Sequence, residues 1–589
     1  MAQNINKLYD VYVNSEKSVI SKNKHSDINA LLIFPNYYNV AMSNLGFLRV
    51  YELLNASEFM SCDRAFLQDF NNDDRTNNTA NNKGIISIER RKNILNYDLI
   101  FFSLSYENDF INILKIFHAE NIPFLSKDRQ QHDINGNEHY PLIMAGGVIS
   151  FLNPEPIAPL FDMMFVGEAE AIFPDFLQIV QKYAQSLNKN KQNIIEESSM
   201  LEGIYVPSAY DFVFSKRDGL EIPVIENIIV KKSYPEKIKR KWLEQGFNPS
   251  ISSIISEYAE FSSMKLIEIA RGCKRGCRFC SAAYIYLPAR KSSIKDVISG
   301  IAKTQEFEKI GFVGLDTMDN EYIKTYMQFS LEERKTFSLS SVRFDCLDES
   351  NIDIMNKAGL KTVTLAVETG SERLKKIINK DIKNETILAT LKKIIESGIM
   401  NIKAYFMLGL PTEDISDIKE TVALIKSMRI QFVESSRKNK RIGKLTIGLS
   451  PFVPKAWTPL QWENFENEKT LLKKINFIYK ELNNLPNINL NINSVKNAFT
   501  EAFFARGSRL SLNILINSFN NNLTIKKAII ASGYKLEDFM RKYATEEILP
   551  WDILDQGITK KYLKEEYNRA MEYKTTPGCF EGCQRCGIC

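Results

Sequence analysis

A chain of 589 residues is too long for one hydrophobic core and implies two or three domains. Its 25% charged and 44% hydrophobic residues are an ordinary soluble balance, and a net charge of +5 over this length is no argument for a polyanionic partner. The first residues have no apolar run that would serve as a signal peptide, and no stretch reaches the ~20 apolar residues of a membrane span, so a cytoplasmic location is the expectation.

Residues 1–245 read as an α/β domain. Strands are expected at 30–35, 98–105 and 142–147, followed by a fourth apolar segment over 161–170. The Asn- and Lys-rich stretch 186–199 reads as a surface loop. Two basic runs, Lys237 to Lys241 and Arg437 to Arg441, are solvated surface first and nucleic-acid contacts as the alternative. Nine cysteines in a cytoplasmic protein argue for metal ligands or spare thiols rather than disulfides. Seven fall in two clusters, while Cys62 and Cys346 read as packed apolar residues.

The first cluster is Cys273, Cys277 and Cys280, spaced C-x3-C-x2-C. A cubane [4Fe-4S] cluster takes one thiolate per iron, so three close ligands leave one iron open to a small molecule. The alternatives are structural zinc or three unrelated buried thiols. Zinc wants a fourth protein ligand, yet no cysteine or histidine lies between Cys280 and Cys346. The apolar run 265–270 directly before the triplet reads as a strand whose exit loop carries it.

Further strands are expected at 309–316, 336–345, 362–369, 401–411 and 444–452, separated by amphipathic stretches such as 384–397 and 417–428. Six β/α units imply a parallel sheet with ligands at the carboxyl ends of its strands, within a core spanning residues 255–495. Beyond Trp457 the chain reads as mainly helical, and residues 496–589 form a helical region ending in the second cluster. Its four cysteines, Cys579, Cys583, Cys586 and Cys589, run C-x3-C-x2-C-x2-C and satisfy either one zinc or one full [4Fe-4S] cluster.

The triplet and its strand context resemble the radical S-adenosylmethionine (SAM) superfamily, and the six units resemble its partial (β/α)6 barrel. That resemblance implies a [4Fe-4S] cluster whose open iron chelates SAM, with one electron from the cluster cleaving the sulfonium. It also implies an electron donor of flavodoxin or ferredoxin type. Phe279, between the second and third cysteines, matches an aromatic position near the SAM adenine. Glu368, in a Glu-Thr-Gly-Ser-Glu-Arg motif, would bind the ribose hydroxyls and Lys380 the SAM carboxylate, as a carboxylate and an ammonium are suited to do. Asp316 and Thr317 stand where many members carry Gly-Gly-Glu to receive the amino group, and Gly409 and Gly448 match positions where backbone approaches the adenine. Lys274, Arg275 and Arg278 would offset cluster charge or be solvated.

The N-terminal strands, with Gly146-Gly147, Asn153-Pro154-Glu155-Pro156 and Gly167-Glu168-Ala169-Glu170, resemble the Rossmann-like domain that precedes the barrel in cobalamin-type members. A lower-ligand histidine would sit in D-x-H-x-x-G after the first strand. Here Asn36 begins a segment without one, and His25, His118, His132 and His139 lie elsewhere. Cobalamin and a cofactor-free docking domain both remain open. The whole arrangement, tail included, resembles an uncharacterised bacterial radical SAM family. The segment Ser450 to Trp462 is also similar to enzymes that attach methylthio groups to tRNA or a ribosomal protein, which makes RNA or a ribosomal component the leading substrate class. The expected activity is SAM cleavage and modification of that substrate. The alternatives are a cobalamin-dependent methyltransferase and a non-catalytic iron-sulfur binding or assembly module.

Overall fold

The computed structural model describes residues 2–18, 20, 26–67, 84–134, 140–304, 308–340 and 342–588. Cys589, His25 and His139 lie outside the described residues, and His132 is described only as part of the helix Ser126–Ile134.

The N-terminal sheet is built on β1 (Ile28–Tyr37), β2 (Met60–Leu67), β3 (Leu99–Ser103), β4 (Leu142–Gly146), β5 (Met163–Phe165) and β6 (Ile204–Tyr205). Its order is β2-β1-β3-β4-β5-β6, parallel throughout except for the last pair. The central strands are apolar on both faces, as strands covered by helices on both sides must be. Strand order reverses between β1 and β3, so a crevice opens at their carboxyl ends, where such sheets bind ligands.

β2 was not expected, because its sequence carries Asp63 and Arg64. Both are buried but paired, Asp63 with Arg90 at 2.7 Å and Arg64 with Glu16 and Glu89 at 2.8 Å each. The expected loop over 186–199 is instead a 3-10 turn and a helix, Lys191–Ser199. Leu187, Ile194 and Ile195, scattered among the polar residues, are buried and anchor it.

The second unit carries the six expected strands, β7 (Met264–Glu268), β8 (Lys309–Val313), β9 (Phe337–Leu339), β10 (Thr362–Glu368), β11 (Asn401–Leu408) and β12 (Leu445–Pro451). A seventh, β13 (Ile488–Ile492), extends the sheet beyond β12. Neighbours run parallel in chain order, and among the described residues the bridge Val342 to Leu365 joins β7–β9 to β10–β13. Each crossover includes a helix, among them Asn384–Glu396 and Ile415–Ser436, the latter opened by an Asp414–Asp417 capping box. β13 escaped the sequence reading because alternate residues are asparagine and only Ile488, Leu490 and Ile492 face the core.

The helices Val495–Arg506 and Leu510–Asn520 lie across the N-terminal unit. Phe504 meets Phe110 edge to face at 5.0 Å, and the Asn153 amide donates to the carbonyls of Ala505 and Gly507. Buried Glu155 pairs with Arg509 at 2.8 Å and accepts from the Tyr205 hydroxyl. The Asn-Pro-Glu-Pro segment is thus the clasp between the first and last parts of the chain. No helix among the described residues is long and apolar enough to cross a membrane.

Candidate functional site: the cysteine loop and the strand ends around it

β7 continues into Ala270–Arg271, which pairs antiparallel with Arg290–Lys291 and closes a loop holding all three cysteines. Gly272 has φ +80°, and a Cβ there would stand 2.5 Å from the Tyr286 carbonyl, so only glycine makes this entry. Cys277 is buried and Cys273 and Cys280 half-buried. Burial pushes the Cys273 thiol up to about 12 and Cys280 up to about 11, with the neighbouring thiols contributing to both. Cys277 is also raised by burial, opposed by the charges of Lys380 and Arg343. The Arg343 Nη1 lies 3.9 Å from its sulfur. A coordinated metal deprotonates such thiols outright. Among the described residues no group of three or more His, Cys, Asp or Glu side chains stands as placed to hold a metal ion. What the loop supplies is three thiols on one short turn beside two cations.

Three arginines fix the loop from three directions. Arg271 reaches Glu168 and Glu170 of the N-terminal unit at 2.8 Å each and Glu268 at 2.7 Å. Burial alone would lower its guanidinium, but these carboxylates hold it well above the ordinary range. Glu168 also takes Arg290 at 2.7 Å and the Leu243 amide, which explains the Gly-Glu-Ala-Glu motif as the contact between the two units. Arg275 pairs with Asp316 at 2.8 Å and Asp319 at 2.9 Å, and its Nη2 lies 3.0 Å from the Cys346 sulfur. Cys346 is half-buried at the rim of this site, not in a core, and burial raises its thiol to about 12.

Arg278 is fully buried. It donates to Glu566 at 3.0 Å, to the carbonyls of Lys376, Ile377 and Lys574, and to the Thr576 hydroxyl. It is therefore a staple between the cysteine loop and the C-terminal helix Lys560–Met571, neither solvated nor facing a cluster. Lys274 alone of the three basic neighbours is exposed.

The strand ends bring the other expected residues close. Glu368 ends β10 with φ +71°, a left-handed conformation costing a non-glycine residue about 1–2 kcal/mol. Its carboxylate accepts from Lys380 at 2.8 Å, both side chains being buried. Both charges act on Cys277, so the pair stands beside the cysteine loop. Asp316 is raised by burial, with Arg275 opposing. Thr317 is buried and its hydroxyl has no hydrogen-bond partner among the described residues. A strained carboxylate, an ammonium and an orphaned hydroxyl beside three thiols fit a polar, zwitterionic ligand. Gly409 and Gly448 have packing reasons of their own: a Cβ at Gly409 would meet Glu466 and Leu471, and one at Gly448 would meet the Tyr405 ring at 2.5 Å.

Two cavities adjoin the loop. One, of about 480 Å³, is lined by Phe279, Met407, Ser450, Asn497, Tyr106 and Lys455 at the ends of β11 and β12. Half-buried Lys455 bridges Glu107 at 2.5 Å and Glu501 at 2.9 Å, and Tyr106 donates to Glu501 at 3.1 Å. Sequence reasoning missed this cluster, since its members come from three distant segments; the lysine in Ser450 to Trp462 was the available signal. The second cavity, of about 580 Å³, opens between the carboxyl ends of the two sheets, lined by Ser103, Gly147, Glu168, Arg271, Gly314 and Leu315 among others. Asn36, at the end of β1, donates to Asp109 at 2.9 Å. His118 packs on Phe519 instead.

The basic runs differ. In the first, Lys237 and Lys239 are exposed, while Arg240 is buried, donating to the Leu287 carbonyl and lying over Trp242, and Lys241 pairs with Asp175. Arg437, Lys438, Lys440 and Arg441 are exposed.

The family profile described as "Radical SAM proteins, N-terminal" matches residues 46–207, and that of the "Radical SAM superfamily" matches residues 267–425. The uncharacterised protein MJ0966 of Methanocaldococcus jannaschii is 31% identical over 405 residues, 68% of this chain and 76% of its own. A tRNA-2-methylthio-N(6)-dimethylallyladenosine synthase of Thermotoga petrophila is 23% identical over 38% of this chain, which spans about half (51%) of that enzyme. Among solved structures, the cobalamin-dependent SAM radical enzyme OxsB with aqua-cobalamin and SAM bound is 11% identical, covers 92% of this chain and 79% of its own, and has a TM-score of 0.45. TsrM from Kitasatospora setae, a radical SAM methyltransferase, is 12% identical over 71% of this chain and 72% of its own, at a TM-score of 0.43. By the two family profiles, the likeness to MJ0966 and the cysteine loop at the end of β7, the chain belongs to the radical SAM superfamily.

Proposed function

We propose that the protein cleaves SAM reductively at a [4Fe-4S] cluster held by Cys273, Cys277 and Cys280, and modifies RNA or a ribosomal component bound at the strand ends. The observation that carries the reading is the convergence of Glu368, Lys380 and Arg343 on Cys277. When bound, the cluster supplies one electron to the sulfonium, and the 5′-deoxyadenosyl radical takes hydrogen from the substrate. The protein's own share is binding and exclusion of water. Lys380 would hold the SAM carboxylate and Glu368 the ribose hydroxyls, the two being paired with each other at 2.8 Å here. Thr317 and Asp316 would serve the amino group, and Phe279 borders the cavity of about 480 Å³ that would take the adenosyl group and substrate. The RNA class is supported by the named tRNA-modifying relatives, which match only part of the chain. A flavodoxin or ferredoxin supplies the electron.

The test is 5′-deoxyadenosine formation by the anaerobically reconstituted protein with SAM and dithionite, with and without cellular RNA and ribosome fractions. Product that disappears in Cys277→Ala supports the reading. A variant retaining full yield sinks it, and an intact cluster that never binds SAM favours the non-catalytic module.

A second reading, cobalamin-dependent methyl transfer, is favoured by the cavity of about 580 Å³ at the carboxyl ends of the parallel strands. With no histidine in the segment from Asn36 to Gly46, where a lower-ligand histidine would be expected, the corrin would bind without protein imidazole. Cobalt retained through purification from supplemented cells supports it, and methyl transfer by cobalt-free protein excludes it.

A further inference from the structure

The contacts proposed for SAM use the cavity of about 480 Å³ only at Phe279. Part of its lining comes from outside the second sheet: Tyr106, just past the carboxyl end of β3, and Asn497 and Glu501 of the helix Val495–Arg506. Asn497 and Glu501 stand one turn apart on one face of that helix, which Ser494 caps by accepting from the Asn497 amide. Ala498 lines the cavity beside them and offers only a methyl group where a larger side chain would fill the space.

The polar groups of this wall are held in place before any ligand enters. Glu501 accepts from Lys455 at 2.9 Å through one oxygen and from the Tyr106 hydroxyl at 3.1 Å through the other. Each carboxylate oxygen has two acceptor sites, so each keeps one for a further donor. The Tyr106 hydroxyl also accepts from the Asn108 amide at 2.7 Å, which fixes the far end of a ring that is 40% exposed. Lys455 and Glu501 are the charged residues of the lining, and Lys455 also pairs with Glu107. One ammonium against two carboxylates makes the wall net negative. Such a wall repels phosphate and carboxylate groups, while an apolar chain would leave Glu501 and Asn497 unanswered. A flat heteroaromatic ring answers all of it, with a face for Tyr106, N–H donors for Glu501 and a ring nitrogen for the Asn497 amide.

We propose that this cavity receives one unstacked nucleobase whose exocyclic amino group adjoins an unprotonated ring nitrogen, adenine or cytosine, from single-stranded RNA. Tyr106 stacks on the base, Glu501 accepts from its amino group, and Asn497 donates to the ring nitrogen. The proposal rests on the function given above and narrows its substrate from RNA or a ribosomal component to a base of an RNA strand. The phosphates stay outside the acidic wall, so the base leaves its stack to enter, at least cost in a loop or an unpaired strand. Phe279 of the cysteine loop lines the same cavity, so a base seated on Tyr106 shares one space with the adenosyl group.

The experiment measures binding by the full chain, reconstituted anaerobically, with SAM and without reductant. The probes are fluorescein-labelled nine-nucleotide RNA strands with a central adenine, hypoxanthine, cytosine or uracil flanked by uridines, read by fluorescence anisotropy. Adenine against hypoxanthine and cytosine against uracil are matched pairs, in which an amino group beside a bare ring nitrogen is exchanged for a carbonyl beside an N–H. The amino base should bind at least tenfold more tightly in each pair. Glu501→Gln, whose amide donates to a carbonyl as readily as it accepts, should cut both preferences to threefold or less. Tyr106→Ala should weaken binding of the adenine and cytosine strands at least tenfold, and Tyr106→Phe should restore most of that loss, since its ring still stacks. Equal binding of the four strands, or preferences unchanged in Glu501→Gln, overturns the proposal. So does 5′-deoxyadenosine formation that RNA-free ribosomal protein stimulates and RNA does not. If the variants do not fold, the two matched pairs in the natural protein decide alone. A chain that prefers both amino bases yet never cleaves SAM with dithionite refutes the function above and leaves the base site standing; SAM cleavage without either preference does the reverse.

Discussion

Replacing Arg278 by methionine is the sharpest perturbation of the way the cysteine loop is held. The side chain is fully buried and all its contacts lead to two segments, the end of the helix Glu372–Ile377 and the C-terminal helix with its following turn. Methionine keeps most of the volume but takes from Glu566, 5% exposed, its nearer cation, leaving the half-exposed Arg569 at 3.9 Å and the Thr576 hydroxyl. Breaking a buried pair from one side costs about 3–5 kcal/mol, most of it the penalty of the stranded charge. The three carbonyls that lose a donor add about 1 kcal/mol each where water does not reach them. Adding Glu566→Leu should therefore restore about 2 kcal/mol, because the buried carboxylate is gone while the Ile377 and Lys574 carbonyls still lack the guanidinium. A chain of this size is not expected to unfold in one step, so a local readout is required. Native-state hydrogen exchange over residues 560–586 supplies it. Arg278→Met should raise exchange there by two orders of magnitude or more, and the double variant should recover part of that loss. Unchanged exchange in Arg278→Met, or a double variant as loose as the single, would refute the staple and the electrostatic account of it.

Arg271→Ala leaves Glu168, Glu170 and Glu268 facing one another at the contact between the units; a loss of about 3–5 kcal/mol is expected, with cluster content falling after reconstitution, checked by urea unfolding and iron assay. Glu368→Ala should leave iron content unchanged and weaken SAM binding by tenfold or more, about 1.4 kcal/mol, measured by equilibrium dialysis. Asp109 provides a pH test. Burial, with Glu107 adding to it, lifts its carboxyl to about 6, while hydrogen bonding from Asn36 opposes the rise. Its folded value exceeds the unfolded one, so between about pH 4 and 6 the folded state holds the extra proton and stability falls as pH rises. The loss by pH 7 is about 3 kcal/mol. Asp109→Asn should flatten the thermal midpoint between pH 5 and pH 7.5; the same slope in both proteins would show that Asp109 does not titrate there.

The strands that could be read from sequence are those buried by continuous apolar runs. β1, β3 and β4, and β7 to β12, stand close to where periodicity put them, because tertiary burial and local propensity agree there. β2 and β13 were hidden for opposite reasons. Asp63 and Arg64 are compatible with a buried strand only through partners at Glu16, Glu89 and Arg90, which no local window contains. β13 is half-exposed, with asparagine on its outer face. The site divides in the same way. Cysteine spacing is local and shows in the sequence, whereas the function of Arg278 depends on Glu566, 288 positions away. The Lys455, Glu107 and Glu501 cluster assembles only when the C-terminal helices fold back across the N-terminal unit.

That fold-back bears on how the site works. The carboxyl ends of both sheets, and not only those of the second, border the cysteine loop, as the lining of the larger cavity by Gly147 and Arg271 demonstrates. Arg271, Arg275 and Arg278 each tie the loop to a different body: the N-terminal unit, the end of β8 and the C-terminal helix. All three are sequence neighbours of the cysteines, so a shift in any of these bodies is transmitted within three residues to a thiol. Substrate that wedges the N-terminal unit from the second sheet would act on Cys273 through Arg271, and a shift of the C-terminal tail would act on the same cysteine through Lys274, whose carbonyl accepts from the Cys579 amide.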